Sequence, residues 1–170
     1  MLPDQVDEMI ANYGTHDARC AHLVNSIRQT EVLLAALQEA SYDIKRELTD
    51  MPHGTSISDT TGRKAANILD GEKSEEVMGV ERDLAEMRRE LAQKSLTVGF
   101  VDAWLLALPD KERFVMRRKV LGGLSWRQTI FAFEKEFGDR YSVEGLKRIG
   151  RVAMKNIYRI ACEPSAGGVA

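Results

Sequence analysis

Residues 141–160, YSVEGLKRIGRVAMKNIYRI, concentrate the side chains best suited to hold a polyanion. At about 100° per residue in one helix, Leu146, Ile149, Ala153, Ile157 and Ile160 share a stripe, and Arg148, Arg151, Lys155 and Arg159 lie opposite it. Guanidinium and ammonium groups on such a face neutralise phosphates at the rims of a major groove, while side chains near the helix N-terminus reach base edges. Here the latter are Ser142, Glu144, Lys147, Arg148 and Arg151; Lys155 and Arg159, further along, suit phosphate. Glu144 is the odd member, because phosphate repels a carboxylate and a cytosine amino group can donate to one. A solvated basic face without a partner is the plainer alternative.

Other chemistry is sparse. His16, Cys20 and His22 have helical spacing but lack a fourth metal ligand, and Cys20 falls on an apolar seam, so packing or surface placement is the expectation and no metal is assigned. His53 has no neighbouring Cys, Asp or Ser pattern that would make it a base. The sequence contains no phosphate-cradling glycine loop, nucleophile elbow or dinucleotide fingerprint. These features nominate no enzyme and no cofactor.

The net charge of −2 conceals a dipolar chain: residues 1–110 hold 11 Lys/Arg against 20 Asp/Glu, whereas residues 111–160 hold 13 against 5. The basic C-terminal part is therefore the one suited to a polyanion. No run approaches the roughly 18 apolar residues of a spanning helix, and MLPDQVDE lacks the regions of a signal peptide. With only Cys20 and Cys162, a reducing, cytoplasmic setting without a membrane is expected.

Helices must position the basic face. A short amphipathic segment with Val6, Met9, Ile10 and Tyr13 is expected to stop at Gly14. Cys20, Leu23, Ile27, Thr30, Leu34, Leu37, Ser41, Ile44 and Leu48 then form a heptad seam. A break around residues 50–60 contains Pro52 and Gly54, with Ser58, Asp59 and Thr60 as candidate caps for the next helix. A second seam runs Val77, Val80, Leu84, Met87, Leu91, Lys94, Val98, Val101, Leu105 and Leu108, after a stretch weakened by Gly71 and Gly79. The simplest arrangement is an antiparallel coiled-coil hairpin, although a parallel homo-oligomer satisfies the same seams.

Leu108-Pro109 redirects the chain into three shorter helices. The first stops at Gly122-Gly123, the second opens on the capping box Ser125-x-x-Gln128 and stops at Gly138, and Ser142 caps the third. In the second, Trp126, Ile130, Phe133 and Phe137 form a face expected to pack on Leu146, Ile149 and Ala153. The resulting expectation is an all-α chain: a helical arm over 1–107, a helix-turn-helix bundle over 108–161 and a disordered tail over 162–170.

The frame Leu108-Pro109, Glu112-Arg113, Gly123-Leu124-Ser125-Trp126, Tyr141-Ser142, Arg148 and Ala153 resembles region four of the bacterial sigma factors and their phage-borne relatives. DMPHGTSISDTTGRKA, with the flanking seams, is similar to the N-terminal half of small phage or prophage transcriptional regulators of the RinA/ArpU-like late-gene group. The resemblance implies a sequence-specific regulator that binds double-stranded DNA near promoters, contacts bacterial RNA polymerase and resides on the nucleoid. It places Arg127 and Gln128 on the helix crossing the backbone and Ser142 to Arg151 on the reading helix. The connection FAFEKEFGDRYS is longer than usual for this family, which raises a contact from Arg140. The alternative reading is a phage DNA-packaging protein of the small-terminase kind, or a structural assembly protein; a third uses the basic face to hold an acidic protein.

Overall fold

The computed structural model describes residues 1–49 and 74–162, and the described residues are helical throughout, with no strand. Helix α1 spans Pro3–Thr49 and α2 spans Glu75–Leu106. Helix α3, Asp110–Val115, runs on as a π-helical turn over Met116–Leu121. Helix α4 covers Trp126–Phe137 and α5 covers Val143–Cys162.

Local chemistry accounts for most boundaries. Ser74 Oγ accepts from the Val77 N–H and caps α2, so Gly79 lies inside a helix where a weak stretch was expected. Pro109 supplies the extended residue before α3, where its missing N–H costs nothing. Ser125 and Gln128 form the full capping box at α4, and Gly138, at φ +71°, ends that helix in the left-handed region. Ser142 Oγ accepts from the Gly145 N–H, 3.1 Å away, at the start of α5. Gly14 does not stop the first helix: α1 passes straight through it. A glycine costs about 1 kcal/mol in a helix interior, a penalty easily offset when flanking side chains such as Ile10 and Tyr13 pack on other elements.

Two compact units emerge. The first comprises residues 1–20 and 93–162, the second residues 21–92. Within the second, Leu23, Ile27, Val77 and Leu84 are buried, the remaining described seam residues are at least half-covered, and Arg88 Nη2 donates to Glu31 Oε1 at 2.6 Å. Seam positions Ile44 and Leu48, the break at 50–60, His53, Gly71 and residues 163–170 of the expected tail lie outside the residues whose side chains are described, whereas Cys162, expected to open the tail, is the last residue of α5.

The first unit has two apolar clusters. One joins Val6 and Ile10 of α1 to Val101, Trp104 and Leu105 of α2, Leu108, Met116, and Ala153 and Ile157 of α5. The other packs Phe133 of α4 against Val115 and Leu146, with Phe114, Phe137, Tyr141 and Ile149 around it. Phe133 sits edge-on to Phe114 at 5.6 Å and to Tyr141 at 5.1 Å, geometry that favours aromatic pairs. The expected α4 face thus meets Leu146 and Ile149, whereas Ala153 belongs to the other cluster and Ile160 remains exposed. The stripe on α5 is split between two partners because two different elements pack along its length.

Polar ties fix α5 in place. The Tyr158 hydroxyl donates to Asp7 Oδ1, and Asn156 Nδ2 donates to Glu112 Oε2 at 2.8 Å. Tyr13 donates to Asp102 at 2.9 Å. Arg113 reaches back to the C-terminus of α2, where its guanidinium donates to the carbonyls of Leu105, Leu106 and Leu108.

Candidate nucleic-acid interface

Helix α5 turns Leu146, Ala153 and Ile157 inward, which leaves Lys147, Arg148, Arg151, Lys155 and Arg159 on its exposed side. Arg148, Lys155 and Arg159 form no ion pair among the described residues, and neither does exposed Arg127 at the start of α4. Their charge is therefore available to a ligand.

Glu144 sits inside this cationic face. Its two carboxylate oxygens pair with Lys147 Nζ and Arg151 Nη2, each at 3.4 Å. One carboxylate thus answers two of the cations assigned to DNA. At this exposure the pairs contribute little stability, but they set the resting charge of the face.

Three other sequence-nominated residues carry structural duties. Gln128 Oε1 accepts from the Ser125 N–H at 3.0 Å, so its side chain serves the helix cap. Arg140 Nε donates to Glu134 Oε1 at 2.6 Å, which ties residue 140 back to α4. Ser142 Oγ is occupied as the cap of α5. Gly145 is approached by Tyr141: a Cβ there would lie 3.1 Å from Tyr141 Cδ1.

A groove of about 770 Å³ runs between the π-helical turn and α5. Lys147, Arg151 and Lys155 line it from α5, Lys119 lines it from the turn, and Val115, Trp126 and Met154 supply apolar surface. Gly150 also lines it, beside Val115. Lys119 Nζ rests 5.5 Å from the centre of the Trp126 ring, a cation–π distance. Lys119 was not among the residues picked from the sequence. Beside the face, Lys111 pairs with Asp139, a contact that raises the lysine's pKa and keeps it cationic.

Comparison of the chain with protein-family models, with curated proteins and with solved structures found no match. Function must therefore be inferred from the geometry of this face.

The residues considered for a metal have separate partners. His16 Nε2 lies 3.4 Å from Lys94 Nζ, Cys20 Sγ lies 3.7 Å from Ser95 Oγ, and His22 Nδ1 lies 3.4 Å from Ser26 Oγ. Among the described residues, no group of three or more His, Cys, Asp or Glu side chains is placed to hold a metal ion. No described helix is long and apolar enough to cross a membrane.

Proposed function

We propose that the chain is a sequence-specific, non-catalytic DNA-binding regulator, with α4 and α5 working as a helix-turn-helix and α5 as the reading helix. The observation that carries this reading is the exposed face of α5, where five cations stand over a helix whose opposite stripe is buried. A rigid amphipathic helix of 20 residues fits a major groove, and lysines and arginines along it supply the phosphate contacts. The Ser125 capping box and the left-handed Gly138 fix the start and end of α4, which supports the motif. The link of residues 138–142 is slightly longer than the usual helix-turn-helix turn.

The seams support an antiparallel hairpin for the remainder. Tyr13 bonds Asp102 and Cys20 approaches Ser95, so later residues of α1 meet earlier residues of α2. Leu23, Ile27, Val77 and Leu84 are buried within one chain, leaving the first seam little need of a second copy. In this reading the hairpin carries the DNA-binding end and offers the surface that meets RNA polymerase at a promoter.

Selection of bound duplexes from a random-sequence pool, using the full chain, tests the function. Enrichment of one motif that Arg148→Ala abolishes is the expected result; a pool that stays random through repeated rounds contradicts sequence-specific binding. If Arg148 reads a base, its removal costs about 1–3 kcal/mol at the selected site.

A further inference from the structure

We propose that the π-helical turn Met116–Leu121 contributes a backbone grip of its own: Lys119, seated over Trp126, faces α5 across the groove, and the sugar–phosphate backbone of one DNA strand lies between them. This rests on the reading of α5 as a duplex-binding helix and adds a contact from a different element.

The turn explains how Lys119 comes to point there. A π-helical turn accommodates one extra residue, which rotates each following side chain by about 100° relative to an uninterrupted α-helix. Adjacent cations diverge, as neighbours along any helix do. Arg118 folds over the Phe114 ring at 5.6 Å, whereas Lys119 lies over Trp126 at the groove. The sequence specifies the turn through its glycine end. The Gly122 N–H bonds the Arg117 carbonyl at 2.9 Å, and the Leu124 N–H bonds the Arg118 carbonyl at 3.1 Å. A Cβ on Gly122 would stand 2.9 Å from the first oxygen and 3.0 Å from the second, too close for any other residue without movement of the backbone.

The composition of the groove selects the occupant. Cations stand on both walls, Lys119 on one and Lys147, Arg151 and Lys155 on the other, outnumbering the one lining carboxylate, Glu144, which pairs with Lys147 and Arg151; Trp126 and Met154 lie between them. Phosphates require the walls, and the apolar faces of deoxyriboses can rest on the floor. Lys147, Arg151 and Lys155 of the groove also belong to the exposed cationic face of α5. Holding Lys119 against an indole limits the freedom it loses on gripping phosphate.

The test uses the full chain and a labelled mixed-sequence duplex, titrated over a range of salt concentrations. Lys119→Gln, Lys155→Gln and, outside the groove, Arg82→Gln are compared with the unmodified chain. In parallel, Trp126 emission is followed in Trp104→Phe, which leaves a single indole. The proposal expects Lys119→Gln to weaken binding several-fold and to flatten the logarithmic salt slope by about 0.9, as one lost phosphate contact would. It also expects duplex to change Trp126 emission, and Arg82→Gln to behave as the unmodified chain. Salt-dependent duplex binding that Lys155→Gln weakens but Lys119→Gln leaves intact would overturn the groove assignment while sparing the reading of α5. Absence of duplex binding by the unmodified chain would overturn both. Emission that responds to polyglutamate but not to duplex would give the groove to an acidic polypeptide and also overturn the proposal. Should Trp104→Phe fail to fold, the salt slopes of the other variants decide the matter.

Discussion

Arg113→Gln should be among the most destabilising single changes of a partly exposed residue in this chain. Arg113 Nε donates to the Leu105 carbonyl at 3.1 Å, and Nη2 donates to those of Leu106 and Leu108 at 3.3 and 2.9 Å. Asp110 pairs with the same guanidinium at 3.3 Å, and the side chain is 30% exposed. The first two carbonyls belong to the last turn of α2, which has no basic residue of its own, and the third lies just beyond it, so the cation also opposes the negative end of the helix dipole. A hydrogen bond from a charged donor contributes about 1.5–3 kcal/mol when considered singly. Three bonds on one group are not additive, and water can reach part of the site, so we take about 2–3 kcal/mol for the set. For a chain of this length each kcal/mol moves the melting temperature by about 2–4 °C, giving a fall of roughly 5–10 °C. Thermal unfolding followed by indole emission in a Trp126→Phe background, which leaves only Trp104, buried beside Leu105, reads this junction directly. Arg113→Lys keeps the charge but loses the forked donors and should recover about half of the loss. A melting temperature within about 1 °C of the unmodified chain for Arg113→Gln would refute the capping role.

Three further perturbations address the basic face, the π-helical turn and a partly buried tyrosine. Glu144→Gln frees Lys147 and Arg151 and should tighten binding to random duplex several-fold at low salt, steepening the salt slope; unchanged or weaker binding in an anisotropy titration would mean that the carboxylate does not restrain them. Gly122→Ala forces a Cβ against two carbonyl oxygens and should cost about 1–3 kcal/mol in denaturant unfolding, and a variant of native stability would show that the turn can relax freely. Burial and the hydrogen bond to Asp102 push the Tyr13 hydroxyl up to about 12 from 10.0. Because the folded state holds that proton more tightly, the stabilisation is complete below pH 10 and is lost as pH rises towards 12. After a discount for solvent screening it amounts to about 1 kcal/mol, so the unmodified chain should lose more stability than Tyr13→Phe between about pH 9.5 and pH 11.5; equal losses would remove Tyr13 from the account.

Local patterns made much of this fold legible. The capping box at Ser125 and the left-handed Gly138 act within a few residues, and the structure follows them; of the seams, the described members are buried or half-covered. Gly14 misled because a local penalty of about 1 kcal/mol is smaller than what tertiary packing supplies. The docking of Val6 and Ile10 near Ala153 and Ile157 could not be read, since nothing local links residues so far apart. The basic stripe on α5 was legible because the helix keeps one period from end to end. Lys119 was hidden for the opposite reason: a π-helical turn breaks the 100° count on which such stripes are drawn. The restraint of Glu144 left a partial trace, the spacing of three to Lys147, which favours an ion pair along a helix.

The most direct test of α5 as the DNA-binding face is the salt dependence of duplex binding by the full chain and by Arg148→Ala/Arg151→Ala/Lys155→Ala. Affinity should fall linearly with salt on logarithmic axes, and the triple variant should bind more weakly with a slope flatter by at least about 0.9, the share of the Lys155 phosphate contact. Binding indifferent to salt, or a triple variant with the slope of the unmodified chain, would contradict that role for α5.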